Sequence, residues 1–222
     1  MEQSLFAGRA FAAFLFDMDG TLVDSIAAAN RVWRRWADNH GIDPEIVIRT
    51  MHGMRAVDTI RHLNLPDVDA EREADAVTQA EIADVEGVVA ITGAGAFLRS
   101  LPADRWAIVT SAPRALAVRR IEAAGLPMPS VLVTADDVTK GKPAPDCFLV
   151  AAQSLGVAAQ DCLVWEDTRA GIDAAEAAGA AIIVVSVTHK TPIGTNHPVI
   201  VDYEGLAVAL DGSLALSVSV WR

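Results

Sequence analysis

The chain has 222 residues, 52% of them hydrophobic and 21% charged, enough apolar material for one domain of ordinary size plus a smaller insert. A formal net charge of −11 gives no global attraction for nucleic acid or anionic membranes, and it repels phosphate at long range, so a phosphate site must supply its own positive charge. The two cysteines, Cys147 and Cys162, form no CxxC pair and have no histidine cluster beside them in sequence, which argues against zinc and for two small core residues.

Taken in chain order, residues 11–16 are continuously apolar and stop at Asp17-Met18-Asp19-Gly20. The run is short and is followed by no small-residue cleavage pattern, so it reads as a buried central strand rather than a signal peptide. No stretch is long enough to span a bilayer, and a soluble cytoplasmic protein is expected. From residue 25 to about residue 89 the pattern is helical, with no strand. Ser25 is placed to cap a helix through residue 38, and Ile26, Val32, Trp33, Trp36 and Ala37 give it an apolar face. Residues 44–51 and 56–63 read as two short helices. Residues 69–84 form a more polar one, whose Asp and Glu residues read as a solvated face.

Strands are then expected at 106–109, 131–133, 162–165 and 181–185, with an edge at 199–201. Helices are expected between them. One starts at Pro113 and stops at Gly125, one runs from Asp146 to a stop at Gly156, and one runs from Arg169 to a stop at Gly179. This alternation predicts an α/β fold: a Rossmann-like parallel sheet core, residues 1–23 and 90–222, interrupted by an all-helical cap, residues 24–89.

Open α/β sheets bind ligands at the carboxyl ends of their strands. The residues there are Asp17 and Asp19, Thr110 and Ser111, and Glu166 and Asp167, with Lys142 in the loop after the third strand. Asp17 and Asp19 alone could belong to a turn or a helix cap. Three or four carboxylates in one cleft repel one another unless a cation is present. With only oxygen donors, a hard ion such as magnesium fits, calcium being the structural alternative. Lys142 could be a solvated surface charge or the cation that balances a carboxylate and a phosphate oxygen. Thr110 and Ser111 could cap the helix that follows, bind an anion, or do both. Together these groups suit attack of a carboxylate on phosphorus, with a second carboxyl moving the proton.

The segments Phe16-Asp17-Met18-Asp19-Gly20-Thr21-Leu22-Val23-Asp24-Ser25, Val109-Thr110-Ser111, Gly141-Lys142-Pro143-Ala144-Pro145-Asp146 and Val164-Trp165-Glu166-Asp167-Thr168-Arg169-Ala170-Gly171 resemble, in order, the four motifs of the haloacid dehalogenase-like hydrolases. The resemblance covers nearly the whole chain and implies the helical-cap subclass. It implies Asp17 as nucleophile, Asp19 as general acid/base, Thr110 as a phosphate ligand and Lys142 as charge balance. It also implies magnesium held by Asp17, the Asp19 main-chain oxygen, Asp167 and, directly or through water, Glu166. Trp165 departs from the smaller residue or Phe that the family more often has.

The cap segment Met51-His52-Gly53-Met54-Arg55 is similar to that of sugar phosphatases, 2-deoxyglucose-6-phosphatases and glycerol-phosphate phosphatases. That similarity makes His52 and Arg55 candidate substrate contacts; without it, Arg55 reads as a surface charge and His52 as packing at a helix end. The implied activity is hydrolysis of a small phosphate ester, a sugar or polyol phosphate, with no protein, nucleic-acid or membrane partner. A phosphonatase is excluded because residues 25–89 contain no lysine, and a dehalogenase is disfavoured because halide needs no acid such as Asp19. A β-phosphoglucomutase-like phosphotransferase is the nearer alternative, and a catalytically inactive binding module is the more distant one.

Overall fold

The structure, a computed structural model, describes residues 2–6, 8–189, 191–210 and 216–221. Its elements begin with β1 (Glu2–Ser4), β2 (Ala13–Phe16) and β3 (Val23–Asp24), then α1 (Ile26–Asn39), α2 (Pro44–Met51), α3 (Ala56–Leu63) and α4 (Ala70–Ala83). They continue through β4 (Val89–Ala90), α5 (Ala94–Ser100), β5 (Trp106–Val109), α6 (Arg114–Ala123), β6 (Val131–Val133) and α7 (Asp146–Ser154). The chain ends with β7 (Cys162–Glu166), α8 (Arg169–Ala177), β8 (Ala181–Val185), β9 (Val199–Ile200), β10 (Leu206–Leu210) and β11 (Leu216–Trp221).

Six strands pair in parallel in the order β6-β5-β2-β7-β8-β9, so the sheet is the Rossmann-like core expected from the sequence. Strand β2 is central because both its faces are apolar. Phe14 and Phe16 point one way, Ala13 and Leu15 the other, and all four are fully buried. The Phe14 face packs on Phe97 and Leu98 of α5, Leu116, Ala117 and Ile121 of α6, and Leu216 and Val218 of β11. The Leu15 face packs on Cys147, Phe148 and Ala151 of α7 and on Ile172 and Ala175 of α8. Trp165 lies beneath the carboxyl end of the sheet, stacked 5.2 Å from Phe16 and 5.4 Å from Tyr203, and the Tyr203 hydroxyl donates to Thr21 O at 3.2 Å.

Helices α1 to α4 close on a separate apolar cluster. Ala29, Val32, Trp33, Trp36 and Ala37 of α1 meet Val47, Met51, Ile60, Ala74 and Val77 from the other three. Asp43 caps α2 by accepting from Glu45 N at 2.9 Å, with Pro44 in the first turn, where its missing N–H costs nothing. Asp69 caps α4 through Arg72 N at 3.2 Å.

Three features were not expected. The two chain crossings between sheet and helices are tied together, because β3 and β4 pair antiparallel through Val23 with Ala90 and Asp24 with Val89. Two-residue strands are too short to leave a periodic signal. Helix α5 follows Gly93 as its cap and contains Gly95, and two glycines so close together give little helical signal in the sequence. A second, antiparallel sheet, β1-β11-β10, covers the Phe14 face.

Both thiols are buried, and burial pushes Cys147 up to about 11 and Cys162 up to about 12. A thiol held protonated and out of solvent is a poor nucleophile. Native protein at neutral pH should therefore resist an alkylating reagent, with both cysteines labelled only on denaturation; rapid native labelling in an intact-mass measurement would contradict this packing.

Candidate active site

Parallel register places the loops after β2, β5 and β7 side by side. Phe16 is paired with Ile108 on one flank and with Trp165 on the other. Asp17 N donates to Trp165 O at 2.9 Å, which holds Asp17 at the mouth of the sheet beside Glu166 and Asp167. These three carboxylates are buried, and they offer oxygens within 4.8 Å of one another.

Lys142, 2% exposed, reaches into this group. Its Nζ lies 2.5 Å from Asp17 Oδ1 and 2.6 Å from Glu166 Oε1, with Val109 O at 3.5 Å. Burial alone would lower the pKa of the ammonium; the Asp17 and Glu166 charges more than reverse this and hold it well above its usual value. Burial pushes Asp17 well above the carboxylate range, Lys142 pulls it back, and Glu166 and Asp167 push it further up. Asp167 is pushed up to about 6, chiefly by burial, against a lowering contribution from His189. One ammonium balances only one of three carboxylates, so full ionisation of the cluster calls for further positive charge. Hard oxygen donors with that need suit a divalent cation such as magnesium.

The surrounding turns are built tightly on these groups. Gly20 has φ +88°, and a Cβ there would overlap the Asp167 carboxylate, so the turn after Asp19 admits only glycine. Thr21 Oγ1 donates to Asp167 Oδ1 at 3.2 Å. Glu166 Oε2 accepts from Asp167 N and Thr168 N, both at 2.7 Å, and from Thr168 Oγ1 at 3.0 Å. With Oε1 on Lys142, both Glu166 oxygens are engaged. Thr110, 3% exposed, accepts from Ala112 N through Oγ1 at 3.0 Å, which leaves its O–H free to donate into the cleft.

This crevice lies within the region matched by a family model, that of the haloacid dehalogenase-like hydrolases, which covers residues 11–179. The chain belongs to the haloacid dehalogenase-like hydrolases. It is 44% identical over 183 residues to hexitol phosphatase A of Escherichia coli (strain K12), covering 81% of this chain and 85% of that protein. It is 36% identical over 189 residues to glycerol-1-phosphate phosphohydrolase 2 of Saccharomyces cerevisiae, covering 79% of this chain and 75% of that protein. A solved hydrolase from Pseudomonas syringae superposes with a TM-score of 0.74 at 30% identity, covering 83% of this chain and 88% of that one.

Within this hydrolase, Asp19 turns away from the carboxylate cluster. Its Oδ1 accepts from Ser25 Oγ at 2.5 Å and its Oδ2 lies 2.9 Å from Arg120 of α6. Ser25, expected as the cap of α1, makes no capping bond. Arg120 also holds Glu81 of α4 at 3.0 Å. Asp17, Asp19, Thr110, Ser111 and His52 all line a cavity of about 80 Å³, together with Glu81 and Arg120. Burial lowers the His52 pKa, against an opposing pull from Asp19, which favours the neutral imidazole.

Two expected substrate contacts are otherwise occupied. Ser111 Oγ donates to Gly53 O at 2.9 Å, clasping core to cap. Arg55 is paired with Asp58 through Nε at 2.5 Å and donates to Thr139 O at 3.1 Å. It lines a neighbouring cavity of about 330 Å³ rather than the one holding Asp17. Its guanidinium fork matches those near partners better than a distant substrate. Ser25, Glu81, Arg120 and His189, the last 3.4 Å from Asp167 Oδ2, are contacts that sequence reasoning missed. For Glu81 and Arg120 a signal existed: each is a charge on the apolar stripe of its helix, beside Val77 and Ala74 or Ala117 and Ile121.

Gly171 of α8 faces Glu166 so closely that a Cβ would overlap Oε1. Gly171→Ala should push Glu166 off Lys142 and lower kcat on any phosphate ester by about tenfold or more, the scale of one lost charged hydrogen bond. Unchanged turnover in this variant would mean that the Glu166–Lys142 contact is dispensable.

Proposed function

We propose that this hydrolase is a magnesium-dependent phosphatase that cleaves a sugar or polyol phosphate through a phosphoaspartyl intermediate on Asp17. The observation that carries the reading is the Lys142–Asp17 contact inside a buried carboxylate cluster. The names of its hexitol and glycerol phosphate relatives supply the substrate class.

Lys142 engages Asp17 through Oδ1, and Asp17 Oδ2 makes no hydrogen bond among the described residues, so Oδ2 is the atom available to phosphorus. Asp17 Oδ2 forms the new bond to phosphorus as the ester oxygen leaves with its electron pair. The free Thr110 O–H donates to a phosphoryl oxygen, and Lys142 offsets the charge gathered there. Asp17 and Asp167, with Glu166 beside them, would hold magnesium, which would supply the remaining positive charge when bound. Glu166 also fixes Lys142 through Oε1.

A polyol leaves as an alkoxide and needs a proton, for which Asp19 is the donor. Arg120 has only N–H groups to offer, so the Asp19 Oδ2 facing it acts as an acceptor. Asp19 therefore leaves Arg120, takes a proton from solvent in the open cleft, rotates toward the leaving oxygen to give that proton up, and then takes one from the water that hydrolyses the acyl phosphate. The helical segment acts as the cap that excludes water during the first step. Among the described residues no helix is long and apolar enough to cross a membrane.

Phosphate release should be seen from hexitol and glycerol phosphates with magnesium, should stop with a chelator, and should return when magnesium is restored. Asp17→Asn should abolish it with the fold intact, and Asp19→Asn should slow it by roughly 10²–10⁴-fold, the usual range for a positioned acid/base. Turnover in Asp17→Asn, or indifference to the chelator, would remove the mechanism.

A further inference from the structure

Glu81 and Arg120 sit side by side in the wall of the cavity that holds Asp17 and Asp19, yet their side chains are only 8% and 7% exposed. They come from different parts of the molecule: Glu81 from the buried stripe of α4 in the helical segment, Arg120 from the buried stripe of α6 on the sheet. The wall around them is mixed: Ile26, Ala29, Met51 and Leu116 give it apolar surface, and Asp19, Ser25 and Thr78 add polar groups. A buried ion pair of this kind is costly to desolvate, and apolar residues of similar volume would often hold two surfaces together as well or better. A fixed donor and acceptor kept in the wall of the cavity that also holds Asp17 and Asp19 are instead placed to read a ligand.

The chemistry of the pair narrows the ligand. A carboxylate accepts and a guanidinium donates, so together they satisfy both halves of an alcohol group, and adjacent hydroxyls can span the two. Neither group suits an apolar or aromatic leaving group. The phosphoryl end is already served by Lys142 and Thr110, and when Asp19 leaves Arg120 for the leaving oxygen, the N–H groups it releases lie beside Glu81 at the alcohol end. Resting on the phosphatase reading above, we propose that Glu81 and Arg120 are the specificity-determining pair that reads hydroxyl groups on the alcohol part of the substrate. The pair is complete only when helical segment and sheet are together, so recognition is tied to closure of the cleft.

The test compares kcat/KM for a hexitol phosphate with kcat/KM for n-hexyl phosphate, whose alkoxide needs the same proton from Asp19 but carries no hydroxyl, in wild type and in Glu81→Gln. The ratio of the two, taken on one preparation, does not depend on how much of it is active. Glu81→Gln should lower that ratio by about 10- to 100-fold, the loss of one or two hydrogen bonds to a charged group. Arg120→Lys, which keeps the charge but loses the planar fork, should lower it too and is the variant to read if Glu81→Gln does not fold. A ratio unchanged within about twofold in the folded variant overturns the proposal. So does a folded Glu81→Gln enzyme inactive on both esters, which would place Glu81 in the chemistry rather than in recognition. A wild-type protein that releases phosphate from neither ester with magnesium would instead remove the phosphatase reading on which the proposal rests.

Discussion

Lys142 reaches a place from which water is almost wholly excluded, and its ammonium meets Asp17 at 2.5 Å and Glu166 at 2.6 Å. Without it, three carboxylates would face one another in a medium that screens charge poorly. Removing one partner of a buried pair of this kind costs about 3–5 kcal/mol, because the charge left behind has nowhere to go. The cation therefore does two things at once. It lets the sheet end in a cluster of acids, and it holds one oxygen of Asp17 so that the other faces the cleft. Much of the nearby backbone follows from that requirement. The loop after β6 must bring Lys142 inward, Glu166 is fixed by two backbone N–H groups, and glycine stands at 20 and 171 where any side chain would collide with the acids.

The helical segment has an apolar cluster of its own, meets the sheet's core through Ala28 of α1 and Ile82 of α4, and is joined to this centre by polar contacts at several further points. Its residues share their own cluster of Trp33, Trp36, Val47, Ile60 and Val77. Across the junction Ser111 donates to Gly53 O, Arg55 donates to Thr139 O, and Arg120 holds Glu81. Gly53, with φ +78°, lies so close to Thr168 that a Cβ would overlap the threonine side chain. Hydrogen bonds and ion pairs across a cleft can be exchanged for water or ligand at little net cost, whereas an apolar interface would have to be pulled apart. This junction is thus suited to parting and closing, with β3 and β4 as the paired connections between the two halves.

The candidate site residues were legible because each follows an apolar run: Asp17 after Phe16, Thr110 after Val109, Glu166 after Trp165. The period of burial fixed the strands, and the ends of the strands pointed to the residues. What escaped the sequence were pairings between distant helices. Glu81 lay in a run of acids read as a solvated face, and only its spacing from Ala74 and Val77 set it apart. Arg55, a candidate substrate contact, is paired with Asp58 and donates to the loop at Thr139, partners that no local pattern announces. Ser25 was assigned to its own helix and instead serves Asp19. Hydroxyl and guanidinium partners are chosen by distance in space, which periodicity does not encode. The Leu216–Trp221 strand alternates apolar residues with serine, a period-two signal from which no strand was expected, and its placement over the Phe14 face lies beyond any local pattern.

The most direct test of the account is to catch the bond it requires. The protein is mixed with magnesium and a polyol phosphate, quenched in acid during turnover, digested, and read by mass spectrometry. The account predicts one phosphoryl group on the peptide containing Asp17, removable by hydroxylamine and lost in Asp17→Asn. Steady phosphate release with no adduct at any quench time, or with the phosphoryl group on a different residue, would contradict it.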